Sequence, residues 1–255
     1  IDLFGGIPYY LSYFKKGMSF EGNADNILFG KNPRLKDEFN RLFNAIFSNP
    51  EDCKKIIRLL AKKHVGFTRE EIAKETGLPF GGGLTDTLNA LVESDFIQRY
   101  RPYNVSGKVS FYKLIDNFSL FWLKYVEPNT EDINFMTDNM TSNIMRVWRG
   151  VAFEEVCWQH IGQIKRALGI SGLSSSISAW SVKGNDNKEG VQIDLLIIRN
   201  DNVVNLCEMK FAGDIYSIDK EEDAKIRNRI QTLINTLSPK QSVHLTMITT
   251  YGVSH

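Results

Sequence analysis

The stretch Gly190–Gly213, GVQIDLLIIRNDNVVNLCEMKFAG, predicts a β-hairpin that carries charged residues inside its strands. Two apolar runs rich in β-branched residues, Val191–Ile198 and Val203–Phe211, flank the polar residues Asn-Asp-Asn at 200–202. Such a pattern is typical of two antiparallel strands joined by a short turn. The charged residues inside the two runs, Asp194, Glu208 and Lys210, therefore need a chemical explanation.

The predicted register places these charges side by side. Alternate side chains of a strand share a face, so Glu208 and Lys210 project from the same face. If the turn takes three residues, Asp194 lies directly opposite Glu208 in the partner strand. Opposed Cβ atoms of an antiparallel pair are about 5 Å apart, and two carboxylates there repel each other unless a positive charge lies between them. A divalent metal, or the ammonium group of Lys210, would supply that charge.

Composition and charge set limits on the class of protein. The chain has 255 residues, long enough for two modest domains or one large one. Its 42% hydrophobic and 24% charged residues are ordinary for a globular protein and argue against wholesale disorder. With 31 basic and 30 acidic residues, the net charge of +1 gives no global argument for nucleic-acid binding. Any such binding requires a local basic patch.

The cysteine pattern favours a reduced, cytoplasmic protein. The three cysteines lie far apart without C-x-x-C spacing, so we expect small buried side chains rather than a metal site or disulfides: Cys53, Cys157 and Cys207. No apolar run is long enough to span a bilayer, and no signal peptide is visible. Because the first residue is Ile1 rather than Met, we expect a piece of a longer protein.

Residues 50–126 predict a winged helix-turn-helix. Three helices are followed by two strands: Cys53–Lys63, Arg69–Thr76, Leu84–Ser94, Ile97–Tyr103 and Val109–Ile115. Thr68 and Glu71 form a capping-box pattern at the start of the second helix, and Gly77 ends it. This order of elements is that of a winged helix. Residues 1–49 are expected to form a helical piece before it, and the polar residues 127–141 a linker after it.

The predicted winged helix has two possible functions, DNA binding and protein contact. Its presumed recognition helix contains Asp86 and Glu93 but no Lys or Arg, whereas reading of the major groove normally uses basic and amide side chains. Several cations of this region are available for phosphate contacts: Lys62, Lys63, Arg69, Lys74, Arg99, Arg101 and Lys108. Both functions stay open at this point.

Residues 142–255 predict the order helix, strand, strand, strand, helix, strand. The first helix, Ser142–Leu168, has an apolar stripe flanked by Glu154 and Glu155, one of which is expected to approach the sheet. The stripe comprises Ile144, Val147, Trp148, Val151 and Trp158. Phosphodiester hydrolysis needs hard oxygen ligands for Mg²⁺ and a cation or base close to the attacking water. Acidic residues on this helix and on the hairpin, with Lys210, supply these groups.

An Asp in the second strand and E-x-K in the third, in this order of elements, resemble the PD-(D/E)XK nuclease superfamily. The resemblance implies an α+β restriction-endonuclease-like domain with a mixed sheet, which hydrolyses DNA with Mg²⁺. It implies four catalytic residues, Glu154, Asp194, Glu208 and Lys210, of which the three acids are the metal ligands. It further implies substrate contacts from Gln231 and Arg227 on the following helix. Glu155 is the alternative to Glu154 as the acidic residue that the helix contributes to this set.

The segments GGIPYYL near the start, LIDNFSLFWLKYV and VAFEEV, together with the winged helix, resemble the C-terminal half of archaeal-type AAA ATPases. The resemblance implies that residues 1–49 are a remnant of the ATPase lid and that ATP binds in a module before residue 1. GKNP at 30–33 is not a phosphate-binding loop, so no ATP hydrolysis is expected from this chain. The implied partners are DNA, the ATPase module of the same protein, and a second copy of the chain.

The expected function is therefore that of a DNA-associated fragment with a Mg²⁺-dependent nuclease domain. The alternative is a non-catalytic DNA-binding or protein-interaction half of an ATPase switch. In that case the carboxylates would merely pair with Lys210 and arginine side chains, because an uncompensated buried carboxylate is costly.

Overall fold

The computed structural model describes residues 2–4, 7–103, 109–182 and 190–254. It confirms a mixed α+β protein. The chain forms two compact units. Unit 1 comprises the described residues up to Arg99 together with Tyr112–Glu155, and unit 2 comprises Tyr100–Phe111 and the residues from Val156 onward. No helix among the described residues is long and apolar enough to cross a membrane.

Unit 1 is largely helical, and its core is rich in aromatic side chains. Its helices before the winged helix are α1 (Pro8–Leu11), α2 (Phe20–Ala24) and α3 (Glu38–Ile46). Those of the winged helix are α4 (Pro50–Leu60), α5 (Arg69–Thr76) and α6 (Gly82–Glu93). After it come α7 (Asn117–Phe121) and α8 (Phe135–Asn139), and α9 (Asn143–Gln159) contributes its residues up to Glu155.

The winged helix has the predicted order of elements. Strand β1 (Phe67–Thr68) precedes α5, and β2 (Ile97–Tyr100) and β3 (Phe111–Leu114) follow α6 in a sheet of order β1-β3-β2. The capping box is present, since the Thr68 side chain accepts from the Glu71 N–H at 3.1 Å and the Glu71 carboxylate accepts from the Thr68 N–H at 2.7 Å. Gly77 ends α5 with φ +72°. Lys108 and the predicted turn around it lie outside the described residues.

The polar segment 21–33 is helical over its first part. Helix α2 and a π-helical turn, Asp25–Phe29, occupy most of this segment. Ser19 caps α2 by accepting from the Gly22 N–H at 3.1 Å. The buried Asn23 side chain accepts from the Lys15 N–H at 2.7 Å, which fixes the preceding loop to the helix. Gly5 and Gly6 of the GGIPYYL segment lie outside the described residues.

The segment predicted as a linker, 127–141, packs into the core of unit 1. It contains a 3-10 turn, Glu127–Asn129, and helix α8. The Phe135 ring stacks on that of Phe29 with centroids 4.9 Å apart. The buried Asp25 carboxylate accepts from the Met136 N–H at 2.7 Å and from the Thr137 N–H at 3.0 Å. The polar composition of this segment did not predict these contacts, because the residues that make them are few and distant in sequence.

The apolar stripe of α9 differs from its prediction at the start of the helix, while Trp148 and Trp158 are buried as predicted. Ile144 and Val147 are exposed, whereas Met145, Trp148 and Ala152 are buried. The intervals of three and four residues between the buried positions continue to Glu155, which places that carboxylate on the buried side of the helix. The predicted single helix Ser142–Leu168 is in fact two, since α9 is followed after His160 by α10 (Ile161–Ala167).

Unit 2 contains a four-stranded sheet of order β4-β5-β6-β7. Its elements are β4 (Ser175–Val182), β5 (Val191–Arg199), β6 (Val203–Lys210), α11 (Lys220–Ile234) and β7 (Ser242–Thr249). The first three strands pair antiparallel, and β7 returns parallel to β6 after α11. The sheet is therefore mixed, as predicted. Leu196, Leu206 and Leu233 form part of the core between the sheet and α11.

Candidate functional site

The hairpin of β5 and β6 has the predicted register. Its paired residues run from Ile198 opposite Val204 to Leu195 opposite Cys207. Asn202, the last residue of the three-residue turn, has φ +67°, a left-handed conformation that asparagine adopts more readily than most residues. The pairing ends there, and the register of β5 with β4 shifts between Leu196 and Ile193, so Asp194 lies at an irregularity of β5. Glu208 and Lys210 share a face of β6 with Leu206, which belongs to the core between the sheet and α11.

Glu208 is a buried carboxylate that is held by an arginine. It is 8% exposed, and Nη1 of Arg229 donates to both of its oxygens at 3.1 Å. Burial raises the pKa of Glu208 above its usual range, the charges of Arg229 and Lys210 lower it, and Glu222 and Asp194 raise it further. The effect of Asp194 on the pKa of Glu208 agrees with the positions of these two residues next to the last pair of β5 and β6, Leu195 and Cys207.

Lys210 belongs to the same cluster of charges. Its ammonium lies 2.7 Å from a carboxylate oxygen of Glu222, and Arg229 lies 3.8 Å from that oxygen. Glu222 is positioned by the start of α11, where the Asp219 side chain accepts from the Glu222 N–H at 2.8 Å. Glu208, Lys210, Glu222 and Arg229 thus form a network of alternating charge, in which each cation lies beside a carboxylate.

Asp194 is only partly buried. The side-chain amide of Gln192 donates to its carboxylate at 2.6 Å, and Nε1 of Trp158 donates to its backbone carbonyl at 3.1 Å. Trp158 therefore fixes the strand at the position of Asp194. Of the predicted set, Asp194, Glu208 and Lys210 all lie in unit 2.

The predicted substrate residues Gln231 and Arg227 lie outside this network. Both are exposed, with Gln231 donating to Asn235 at 3.2 Å and Arg227 paired with Asp223 at 2.8 Å. A helix turns by about 100° per residue, so Arg227 and Arg229 point in nearly opposite directions. The sequence interpretation missed Glu222 and Arg229 as site residues. Their spacing of seven, two helical turns on one face, is the signal that would have found them.

Glu154, the fourth residue of the predicted set, belongs to unit 1. Its carboxylate lies 2.6 Å from Nε2 of His64. Its neighbour Glu155 is fully buried and lies 3.0 Å from the ammonium of Lys113 and 3.2 Å from Nδ1 of His64. The sequence carries no spacing that predicts these contacts with His64 and Lys113.

The charges around Glu155 and His64 alter both pKa values. Burial raises the pKa of Glu155, while the charges of Lys113 and His64 oppose that rise. Burial lowers the pKa of His64, but the hydrogen bond to Glu154 and the charges of the two glutamates outweigh it, and the pKa of His64 is raised. His64 is therefore a group that titrates above its ordinary range.

Gly66 fixes the turn that positions this second cluster. It has φ +78°, and a Cβ atom at this position would lie 2.0 Å from the carbonyl oxygen of Tyr112. Only glycine allows this approach of the chain to β3, which holds Lys113. His64, two residues earlier, is placed by the same turn.

The surface of the winged helix is acidic where a recognition helix is normally basic. Asp86, Asn89 and Glu93 of α6 are exposed. Arg69 is engaged within the fold, since its guanidinium donates to the Gly81 carbonyl at 2.7 Å and lies 4.1 Å from the centre of the Phe80 ring. Lys62, Lys74 and Arg101 are exposed.

Comparison with known proteins gives a distant relative. No protein-family profile matches the chain. The chain is 27% identical over 210 residues to the uncharacterized protein MJECL04 of Methanocaldococcus jannaschii. The alignment covers 79% of this chain and 45% of the relative, so the chain spans less than half of the length of that protein.

Proposed function

We propose that unit 2 hydrolyses phosphodiester bonds of DNA with Mg²⁺. The observation that carries the proposal is the charge cluster at the end of β6, since Glu208 and Lys210 share a face of that strand and the charge of Asp194, next to the paired Leu195 on β5, raises the pKa of Glu208. Carboxylate oxygens are the ligands that Mg²⁺ prefers, and a cation beside them is what phosphodiester hydrolysis needs.

The residues present fit such an ion by their chemistry. Asp194 and Glu208 would hold Mg²⁺, and the sequence resemblance implies Glu154 as a third ligand. When bound, Mg²⁺ supplies Lewis-acid activation of the phosphate. The cluster in unit 2 contains three carboxylates and two cations, because Asp194, Glu208 and Glu222 face Lys210 and Arg229. The excess of one negative charge favours a cation.

Lys210 has a defined position for its proposed role. The contact with Glu222 holds its ammonium at 2.7 Å from a carboxylate, on the same face as Glu208. There it would stabilise the negative charge that develops on the phosphate, or orient the attacking water. Arg229 has to leave Glu208 for that carboxylate to bind a metal, and Glu222 at 3.8 Å offers it a second partner.

The partners and substrate contacts belong to the same proposal. Gln231 and Arg227 are exposed on α11 and available to contact DNA. The upstream ATPase module with its ATP, as a partner within the same protein, rests on the sequence resemblance. A second copy of the chain is a further proposed partner on the same ground.

A non-catalytic DNA-binding or protein-interaction module is the second candidate, and one observation favours it. Both oxygens of Glu208 are already bonded to Arg229, and Lys210 is paired with Glu222. These two contacts are expected if the fold is inherited but no longer catalytic, because the charged side chains then only neutralise one another. The acidic surface of α6 favours protein contact over reading of the major groove.

The experiment incubates the protein with labelled duplex and single-stranded DNA and Mg²⁺ or Mn²⁺. We expect cleavage by the wild type and its loss in Lys210→Ala and Asp194→Ala. Lys225→Ala is the matched control, because this lysine of α11 is exposed and pairs only with Glu221 among the contacts described. Cleavage that persists in both site variants contradicts the proposal. A wild type that binds DNA with a steep salt dependence but does not cut it supports the second candidate.

A further inference from the structure

The guanidinium of Arg229 uses one of its three nitrogens within the described part of the chain. Nη1 donates to both oxygens of Glu208 at 3.1 Å and lies 3.8 Å from a carboxylate oxygen of Glu222. No described residue accepts a hydrogen bond from Nε or Nη2. Since a guanidinium is a planar fork of N–H donors, most of the donors of Arg229 are available to a further acceptor.

Solvent reaches the unused donors of Arg229. The Arg229 side chain is 26% exposed, whereas the Glu208 side chain that it contacts is 10% exposed. Nε and Nη2 are not among the buried side-chain nitrogens that lack a partner in the described residues. An anion from solution can therefore contact this guanidinium while α11 stays in place on the sheet.

Arg229, rather than Arg227, is the arginine of α11 that lies beside the proposed metal ligand Glu208. Arg227 projects from the opposite side of the helix, where its Nε donates to Asp223 at 2.8 Å. Gln231, four residues after Arg227, lies on the same side as Arg227. A phosphate beside a metal ion at Glu208 would therefore be on the side of Arg229.

Binding of a divalent ion reverses the sign of the charge in this cluster. Without an ion, the three carboxylates exceed the two cations by one negative charge. With Mg²⁺ or Mn²⁺ the excess becomes one positive charge, which the single negative charge of a phosphodiester neutralises. An ion on Glu208 also takes the carboxylate that Arg229 holds, and Lys210 already neutralises Glu222 at 2.7 Å. A phosphate then matches the fork of the released guanidinium.

We propose that Arg229 is a phosphate-binding residue of the metal centre, and that it exchanges Glu208 for a phosphate of the substrate when the metal ion binds. The inference rests on the proposed function, because it requires a metal ion at Glu208. In the free protein the contact between Arg229 and Glu208 weakens binding of the ion. Metal and phosphodiester therefore bind cooperatively, and each strengthens binding of the other by the same factor.

The test is calorimetric titration of the whole chain with Mn²⁺, with and without a short oligodeoxynucleotide. The oligonucleotide has phosphorothioate linkages, which are charged and resist hydrolysis, and is used both as a single strand and as a duplex. The matched ligand has the same sequence with uncharged methylphosphonate linkages. We expect the phosphorothioate form to strengthen binding of Mn²⁺ by the wild type about tenfold, and the methylphosphonate form to leave it unchanged.

Arg229→Gln separates the two contacts of the arginine. Without oligonucleotide, this variant should bind Mn²⁺ about tenfold more tightly than the wild type, because a charge-assisted contact no longer has to break. The phosphorothioate oligonucleotide should then strengthen Mn²⁺ binding by less than about twofold, a small fraction of the usual coupling between sites. Lys225→Gln is the matched control, since it removes a positive charge from the exposed side of α11 and should keep the coupling of the wild type.

A second variant keeps the test decisive if Arg229→Gln does not fold, which circular dichroism shows. Arg229→Lys keeps a cation beside Glu208 but replaces the planar fork by a point charge. We expect this variant to reduce the coupling between Mn²⁺ and the phosphorothioate oligonucleotide about threefold or more, because one ammonium cannot bind a phosphate through a bidentate fork.

The outcomes separate this inference from the proposed function. Equal Mn²⁺ affinity with and without the phosphorothioate oligonucleotide overturns the inference and leaves the metal centre intact. Full coupling in the folded Arg229 variants does the same. Failure of both the wild type and the folded Arg229 variants to bind Mn²⁺ under all conditions overturns the inference together with the metal centre. Coupling that depends on Arg229, in a protein that cuts no DNA, supports the inference and contradicts the nuclease.

Discussion

One nitrogen of Arg229, Nη1, donates to both carboxylate oxygens of Glu208 at 3.1 Å. The two residues lie 21 positions apart, on α11 and β6, so this contact fixes the helix against the strand that carries the E-x-K sequence. The same contact occupies the carboxylate that we propose as a metal ligand. Arg229 is thus a structural partner of Glu208 and would compete with the proposed metal ion for that carboxylate.

We expect Arg229→Met to lower the free energy of unfolding by about 1–3 kcal/mol near neutral pH, because it leaves a buried carboxylate without its partner. Burial already raises the pKa of Glu208, and loss of Arg229 raises it further. The loss of stability should therefore shrink on acidification, as Glu208 becomes protonated. Urea denaturation at several pH values measures this loss of stability.

Arg227→Met is the matched control for Arg229→Met. Arg227 lies two residues earlier on α11 and is exposed, with a surface contact to Asp223. We expect little change in stability from this variant. Equal losses from both variants would show that the contact with Glu208 does not stabilise unit 2.

His64 should make the stability of the protein depend on pH. Its folded-state pKa is raised, so its contribution is fully present below its ordinary pKa of about 6.5 and is lost as the pH rises through the folded value. We expect the free energy of unfolding to fall over that window, by about 1.4 kcal/mol for each pH unit that separates the folded and unfolded pKa values. NMR titration of the imidazole measures the pKa of His64, and thermal melts measure how stability depends on pH.

Two variants isolate this effect from that of Glu155, whose pKa is also raised. His64→Gln should remove the His64 part of the pH dependence, and Glu154→Gln should reduce it by removing the hydrogen bond that raises the pKa of His64. An imidazole pKa measured below 6.5, or a pH dependence unchanged in both variants, is incompatible with the described contacts.

Gly66→Ala should destabilise unit 1 by about 3–5 kcal/mol, since it combines a left-handed backbone with a Cβ atom 2.0 Å from the Tyr112 carbonyl oxygen. Gly77→Ala is the control. It has φ +72° but no atom within 4 Å of the added Cβ, so a loss of about 1 kcal/mol is expected. Chemical denaturation compares the two, and equal losses would contradict the close approach at Gly66.

The sequence predicted the elements that depend on short periods and local signals. The hairpin register follows from the two-residue period of β5 and β6 and from a turn whose length is set by Asn200–Asn202. The capping box of α5 is likewise local, because Thr68 and Glu71 are three residues apart. These features need no knowledge of distant contacts.

Local sequence patterns could not predict contacts between residues that lie far apart in the chain. Asp25 binds the backbone of Met136 and Thr137, more than 100 positions away, so a polar segment that looked like a linker is part of a core. On α9, Trp148 is buried as predicted, but Ile144 and Val147 of the same predicted stripe are exposed and Met145 is buried instead. The pairing of Glu208 with Arg229 depends in the same way on how α11 packs on the sheet.

Calorimetric titration of the whole chain with Mn²⁺ or Mg²⁺ tests the central claim most directly. We expect the wild type to bind the ion, and Asp194→Asn and Glu208→Gln each to weaken binding about tenfold or more, because each removes a charged ligand. Asp223→Asn, on the exposed side of α11, should bind as the wild type does. A wild type that binds no ion, or site variants that bind as tightly as the wild type, would contradict a metal centre at Asp194 and Glu208.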